Sequence, residues 1–284
     1  MTVYHGVCAM VCVLNDPQRK VDSVVSWIGM HDPGPFIIPY PYPVLYCGNK
    51  KTPDMTLVAA VWSPEGFAIA ADGLQVETHP PMRIENAQKI FYTPFRDGTG
   101  FAYACAGTCR IGLRSGRSFD FLEATKRVID ELAGTPFPNN PADYFNEIGK
   151  NLFQKLAEFP ADVDMPESRL LLAGYASGTA LWAELVFSNT GTRFAPPVLA
   201  LMDYSPRQFM VFAGSNTVYG DMQIAGKLFQ PMYLKEAIGM VQEYAQMCIE
   251  NNTAIEDCTN LGGHIHVATI TKEGFTWIKE PNNL

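Results

Sequence analysis

Thr56 is the residue of this chain with the clearest chemical potential, because of its neighbours. It follows a methionine, opens the apolar run Thr56-Leu-Val-Ala-Ala-Val-Trp, and is trailed by Asp72 and Lys89. A threonine hydroxyl is a weak nucleophile on its own. At the first position of a chain, however, its own α-amine can take the hydroxyl proton. A free α-amine titrates at roughly 7.7–8.0, near what a general base needs at neutral pH. The plain alternative is a β-branched residue in an ordinary strand.

The elements that would position these residues are short strands. Ser63-Pro-Glu-Gly66 separates the first apolar run from Phe67-Ala-Ile-Ala-Ala-Asp72, a strand–turn–strand pattern. Lys89-Ile-Phe-Tyr-Thr and Gly100-Phe-Ala-Tyr-Ala-Cys-Ala predict a second strand pair around Phe95-Arg-Asp-Gly98, after a polar loop over 73–88. Helical periods predict helices over 117–133 and 142–158, ended by Gly134 with Pro136 and by Pro160. Strands are expected at 169–175, 180–187 and 208–213, helices at about 216–229 and 233–250, and a closing hairpin over 264–279. Strands and paired helices in separate blocks indicate an α+β layered class.

Four short segments in this order resemble the proteasome β-subunit family of N-terminal-nucleophile (Ntn) hydrolases, which includes the peptidase subunit of the bacterial two-component ATP-dependent protease. They are Thr56 to Asp72 with Gly66 between, Lys89-Ile-Phe, Tyr103-Ala-Cys-Ala-Gly107 and Ala213-Gly-Ser215. The tail Gly262-Gly-His-Ile-His-Val-Ala-Thr-Ile-Thr-Lys-Glu-Gly274 is similar to that family's last hairpin. Lys89 stands one residue late, which one insertion in the loop 73–88 accounts for. The resemblance covers residues 56 to about 280 and implies a four-layer α-β-β-α sandwich with the nucleophile at one end of the sheets.

It also implies roles. Thr56 would attack a peptide carbonyl and form an acyl-enzyme. Lys89 would stand beside its hydroxyl, lower the pKa of the α-amine and stabilise charge developing on Oγ1. Asp72 would hold Lys89 charged; the plain reading of that pair is an incidental surface contact worth about 0–1 kcal/mol. Gly107 would offer its backbone N–H to the oxyanion, an interaction worth about 2.7–4 kcal/mol in such sites. Ser215 would position the α-amine, although it serves equally as an N-cap for a helix over 216–229. Cys105 and Cys109 match pocket-lining positions, with their small side chains suggesting medium or large apolar substrate groups. The match lapses before the Gly-Gly pair, where Cys258 and Leu261 replace an aspartate and a serine, and Asp257 and Thr259 are out of step.

Bulk properties narrow the options. A hydrophobic content of 47% supports one large domain, and a net charge of −8 argues against nucleic acid or an anionic membrane as the main partner. No apolar run reaches the length of a membrane helix. The seven cysteines form no CxxC pair; the four-residue steps Cys8 to Cys12 and Cys105 to Cys109 lack following His ligands. Reduced thiols, no metal, no cofactor and a cytoplasmic location are therefore expected. His264 and His266 have a metal-like spacing, but a half-exposed strand face is the simpler account.

Residues 1–55 are the least domain-like, with five prolines over 32–44. They read as a propeptide or as an over-extended start ahead of Met55, and residues 56–284 as the domain. The function expected is a threonine-type peptidase acting on peptide or unfolded-protein substrates, in a homo-oligomeric ring, with an ATPase partner left open. The alternatives are a non-catalytic structural subunit and a small-substrate Ntn amidase.

Overall fold

The segment 57–72 is apolar at almost every position, the pattern of strands covered on both faces. Such strands need two partners, and the architecture supplies them. The structure is a computed structural model that describes residues 56–281 apart from 79–80, 95–99, 108–109, 113–117, 136–140, 159–166, 177, 189–195, 203–208, 215–217 and 254–260.

The elements are β1 (Leu57–Ser63), β2 (Gly66–Asp72), β3 (Gln75–Thr78), β4 (Pro81–Ile84), β5 (Ile90–Pro94), β6 (Gly100–Gly107), β7 (Arg110–Gly112), β8 (Ser118–Asp120), α1 (Phe121–Ala133), α2 (Pro141–Ala157), β9 (Glu167–Ala176), β10 (Thr179–Ser188), β11 (Val198–Met202), β12 (Met210–Gly214), α3 (Tyr219–Ile224), α4 (Leu234–Thr253), β13 (Ile265–Thr271) and β14 (Gly274–Lys279). Two five-stranded antiparallel sheets carry the fold. Sheet I has the order β12-β1-β2-β13-β14 and sheet II the order β11-β10-β9-β6-β5.

Side-chain alternation along the strands feeds three apolar clusters. Leu57, Ala59 and Val61 pack with Ala237, Val241 and Tyr244 of α4. On the opposite face, Val58, Ala60 and Ala71 pack with Ala104, Ala106 and Leu171 of sheet II. The far face of sheet II places Phe101, Tyr103 and Leu172 against Phe121 and Val128 of α1 and Phe145, Ile148 and Leu152 of α2. Among the described residues, no helix is long and apolar enough to cross a membrane.

Several boundaries differ from the sequence expectation for local reasons. The first helix begins at Phe121 rather than 117, because the Asp120 carboxylate accepts the Glu123 N–H at 2.8 Å and caps it there. The helix expected over 216–229 shrinks to α3, whose N-cap is Val218. The loop 73–88 contains the hairpin β3–β4, which its polar composition conceals, and β11 follows Pro196-Pro197 without having been expected.

Candidate active site

The site forms where the start of β1, the end of β2 and the start of β5 converge, so both sheets contribute. Thr56 is 2% exposed, Asp72 0% and Lys89 4%. The Lys89 ammonium donates to Asp72 Oδ1 at 2.8 Å and reaches Thr56 Oγ1 at 3.4 Å. Asp72 Oδ1 also accepts the Leu57 N–H at 2.8 Å, and Oδ2 faces the Gly262 N–H at 3.4 Å. Asp72 thus ties together the first strand, the lysine leading into β5 of the other sheet and the Gly-Gly turn before β13.

A buried charge pair of this kind persists only when its hydrogen-bonding capacity is used. Burial pushes the Asp72 carboxyl above the usual carboxylate range, while Lys89, the Leu57 N–H and the Gly262 N–H each pull it back. The result is a dry ammonium beside a hydroxyl. That arrangement stabilises negative charge on Oγ1 far better than the same pair would in water.

Two glycines have backbone reasons to be there. Gly214 pairs with Leu57 at φ 88°, and a Cβ on it would stand 1.7 Å from the Thr56 carbonyl oxygen. Only a glycine lets β12 run this close to Thr56. Gly107 ends β6 with φ 85°, at the end of sheet II where Lys89 enters β5, since Ile90 pairs with Ala104.

The substrate-contact expectation for Cys105 does not survive. Cys105 is 1% exposed within the cluster between sheet II and its helices, with Sγ 3.9 Å from Thr125 Oγ1. The two-residue period of β6 explains this: Ala104 and Ala106 face sheet I, so Cys105 faces away from it. Cys109, Ser215, Asp257, Cys258 and Thr259 lie outside the described residues. Leu261 is described and buried in the cluster under α4. The two described thiols, Cys105 and Cys248, are both buried and unbridged.

The histidine expectation also changes. His264 is exposed and precedes β13, whereas His266 is 1% exposed, not on a half-exposed face. Its Nε2 lies 2.6 Å from Asn86 Oδ1. Among the described residues, no group of three His, Cys, Asp or Glu side chains is arranged to hold a metal ion. Asn86 and His266 were missed as site neighbours, although a histidine inside an apolar strand was a visible signal.

No family model and no curated protein matches the chain. Solved structures do. Anbu (ancestral beta-subunit) from Yersinia bercovieri matches with a TM-score of 0.55 at 14% identity, over 79% of this chain and 88% of that one. An Anbu (Gly-1) mutant from Hyphomicrobium sp. strain MC1 gives 0.55 at 13%, over 80% and 89%. The helical assembly of the Anbu complex from Pseudomonas aeruginosa gives 0.55 at 12%, over 80% and 88%. The likeness is one of fold.

These findings correct the resemblance drawn from sequence. The similar structures are Anbu proteins at 12–14% identity, and no family model supports membership of the proteasome β-subunit family or its bacterial two-component branch. The segments that suggested it are glycine turns and apolar strands, which many antiparallel sheets require. What stands is a proteasome-related fold.

Proposed function

We propose that the chain, once it begins at Thr56, is a threonine-type amide hydrolase that cleaves peptide bonds. Residues 1–55 are then a segment to be removed, and residues 56–284 the working domain. In the full chain the Thr56 nitrogen is an amide joined to Met55, so it cannot serve as a base. Released, its amine takes the Oγ1 proton while Oγ1 attacks the substrate carbonyl. Lys89 stabilises the forming alkoxide, Asp72 keeps Lys89 charged and aimed, and the Gly107 N–H receives the oxyanion. Ser215 would assist the amine. The α-amine then returns its proton to the leaving nitrogen, and water hydrolyses the acyl-enzyme.

The observation that carries this reading is the Lys89 ammonium placed between Thr56 Oγ1 and Asp72 Oδ1, all three groups buried. An incidental surface pair has no such geometry. The three apolar clusters support a four-layer α-β-β-α stacking for the domain. Self-association is supported by the helical assembly of an Anbu protein and by the exposed apolar side chains of Ile224, Phe229, Met232 and Tyr233. A non-catalytic subunit has one observation in its favour, the near-complete burial of Thr56 in the full chain.

The test is a chain produced to begin at Thr56, its mass verified, and assayed on blocked peptides and on small amides. Turnover that vanishes in a folded Thr56→Ala chain supports the hydrolase. Equal turnover in the two chains would remove Thr56 from the mechanism, and no turnover in either favours the non-catalytic reading. Cleavage of small amides but not peptides would move the substrate class.

A further inference from the structure

Lys89 arrives at the site on a connector, not within a strand. After β4 ends at Ile84, residues 85–89 leave the neighbourhood of sheet I and enter sheet II at Ile90. A lysine on such a crossing has its Cα placed by whatever pins the connector on either side. On the sheet II side, β5 pairing begins at Ile90 with Ala104, and Gln88 Nε2 donates to the Ile90 carbonyl at 2.9 Å. On the sheet I side, two backbone bonds hold it, and a third joins the segments that receive it. Ala87 N–H donates to Gly73 O at 2.7 Å, His264 N–H to Glu85 O at 2.8 Å, and Leu74 N–H to Gly262 O at 2.9 Å.

A side-chain bond to sheet I joins this set, and it is buried on the histidine side. His266 sits in β13 opposite Ala71, the residue before Asp72. Its Nε2 meets Asn86 Oδ1 at 2.6 Å, three residues before Lys89. With an amide oxygen as partner, Nε2 must carry the proton and Nδ1 is left bare; Nδ1 is buried and has no hydrogen-bond partner. A histidine kept in an apolar strand with half of its polar capacity unused costs stability. Its retention is explained if the Nε2–Asn86 bond has a task that an apolar residue could not perform.

We infer that His266 is a positioning residue for Lys89: through its hydrogen bond to Asn86 it pins the connector 85–88 to sheet I and so sets the lysine ammonium between Asp72 and Thr56. The inference rests on the proposed hydrolase reading for its consequence in catalysis, but the pinning itself does not. Because His266 is held as the neutral Nε2–H tautomer, it supplies a donor without placing a second cation beside Lys89. Protonation would add an Nδ1–H with no acceptor, in the field of that ammonium. The charged groups around it are Lys89 and, through the shared pair, Asp72; the exposed His264 lies on its own segment, and Glu85 is turned to Arg83.

The experiment compares His266→Gln, His266→Leu, Asn86→Leu and the double leucine variant in chains beginning at Thr56. Glutamine places an N–H donor close to the position of Nε2, so it should restore what leucine loses. With His266→Leu or Asn86→Leu, kcat should fall on the order of 100-fold with KM nearly unchanged, the size of effect a displaced reacting group produces. The double variant should be no worse than either single one, since all three remove the same bond.

A second measurement does not depend on activity: the rate of reductive methylation of Lys89, followed by mass spectrometry. It should rise by about fivefold or more in the leucine variants, the equilibrium weight of one lost hydrogen bond, and return toward the wild-type rate in His266→Gln. Equal methylation rates in all four chains, or additive losses in the double variant, would overturn the inference. If the unmutated chain hydrolyses no amide at all, the hydrolase reading fails while the methylation rates still decide whether His266 positions Lys89.

Discussion

The cluster between the two sheets and the cluster between sheet II and its helices are built from different side chains. Under α1 and α2 the core is large and branched or aromatic, with Phe101, Phe121, Phe145, Phe187, Leu152 and Leu170. Between the sheets it tapers. Phe67 of sheet I and Tyr175 of sheet II meet edge to face at 5.8 Å at the end away from Thr56. Toward the site the same layer is lined by Ala71, Ala104, Ala106 and Ala213. Small side chains leave less to separate the sheets, and there the lysine just before β5 of sheet II reaches a carboxylate of sheet I at 2.8 Å. One core is therefore a foundation, filled for stability, while the other sets the spacing on which the charge pair depends.

The comparison can be broken most severely at the pair itself. Lys89→Met leaves the Asp72 carboxyl buried without its cation, and a loss of about 3–5 kcal/mol in denaturant stability is expected. Adding Asp72→Asn should recover much of it; no recovery would mean that the loss came from packing alone. Lys89→Arg should not restore hydrolysis, because a planar guanidinium cannot occupy the place of a compact ammonium.

The foundation should respond differently. Leu152→Ala, in the fully buried face of α2, is expected to cost about 2–5 kcal/mol while leaving turnover per folded molecule unchanged. Ala104→Val between the sheets should cost less, about 1–3 kcal/mol, yet lower turnover by widening the gap that Lys89 spans. If the two substitutions affect turnover alike, the division of labour between the cores is wrong.

The smallest effect sharpens the picture of the polar rim. His266 is pushed down from its ordinary value of 6.5 to about 4, first by burial, then by the Lys89 ammonium and by His264. The unfolded chain therefore takes up a proton at this residue before the folded one does. Its contribution is complete above about pH 6.5 and is lost as the pH falls toward 4. Denaturation midpoints should decline across that window, and His266→Gln should flatten the decline. A decline of equal slope in the variant would assign the effect to other groups.

Much of this arrangement was readable in the chain. Thr56, Asp72 and Lys89 were picked out by their order together with the resemblance, and the structure brings their side chains together. The hairpin β1–β2 and the helix α2 follow from turn residues and apolar period. Other features were not readable. Cys105 was assigned to the substrate side by the resemblance; spacing says that Cys105 and Tyr103 share a face without saying which partner covers it. The β3–β4 hairpin escaped notice because Gln75-Val-Glu-Thr has no apolar stripe, and His266 was read as half-exposed because β13 was not known to lie inside sheet I, between β2 and β14.

Local rules thus settled many of the elements of this protein: where strands turn and where helices stop. They are properties of neighbouring residues, carried by backbone preference and by periods of two and 3.6. The contacts that aim the chemistry belong to another scale. The approach of Gly214 to Thr56, the reach of Lys89 from the connector to Asp72 of sheet I and the bond from His266 to Asn86 each join residues well separated in sequence. They exist only once two sheets have packed, because face, depth and distance are set by what covers a strand and not by the strand itself.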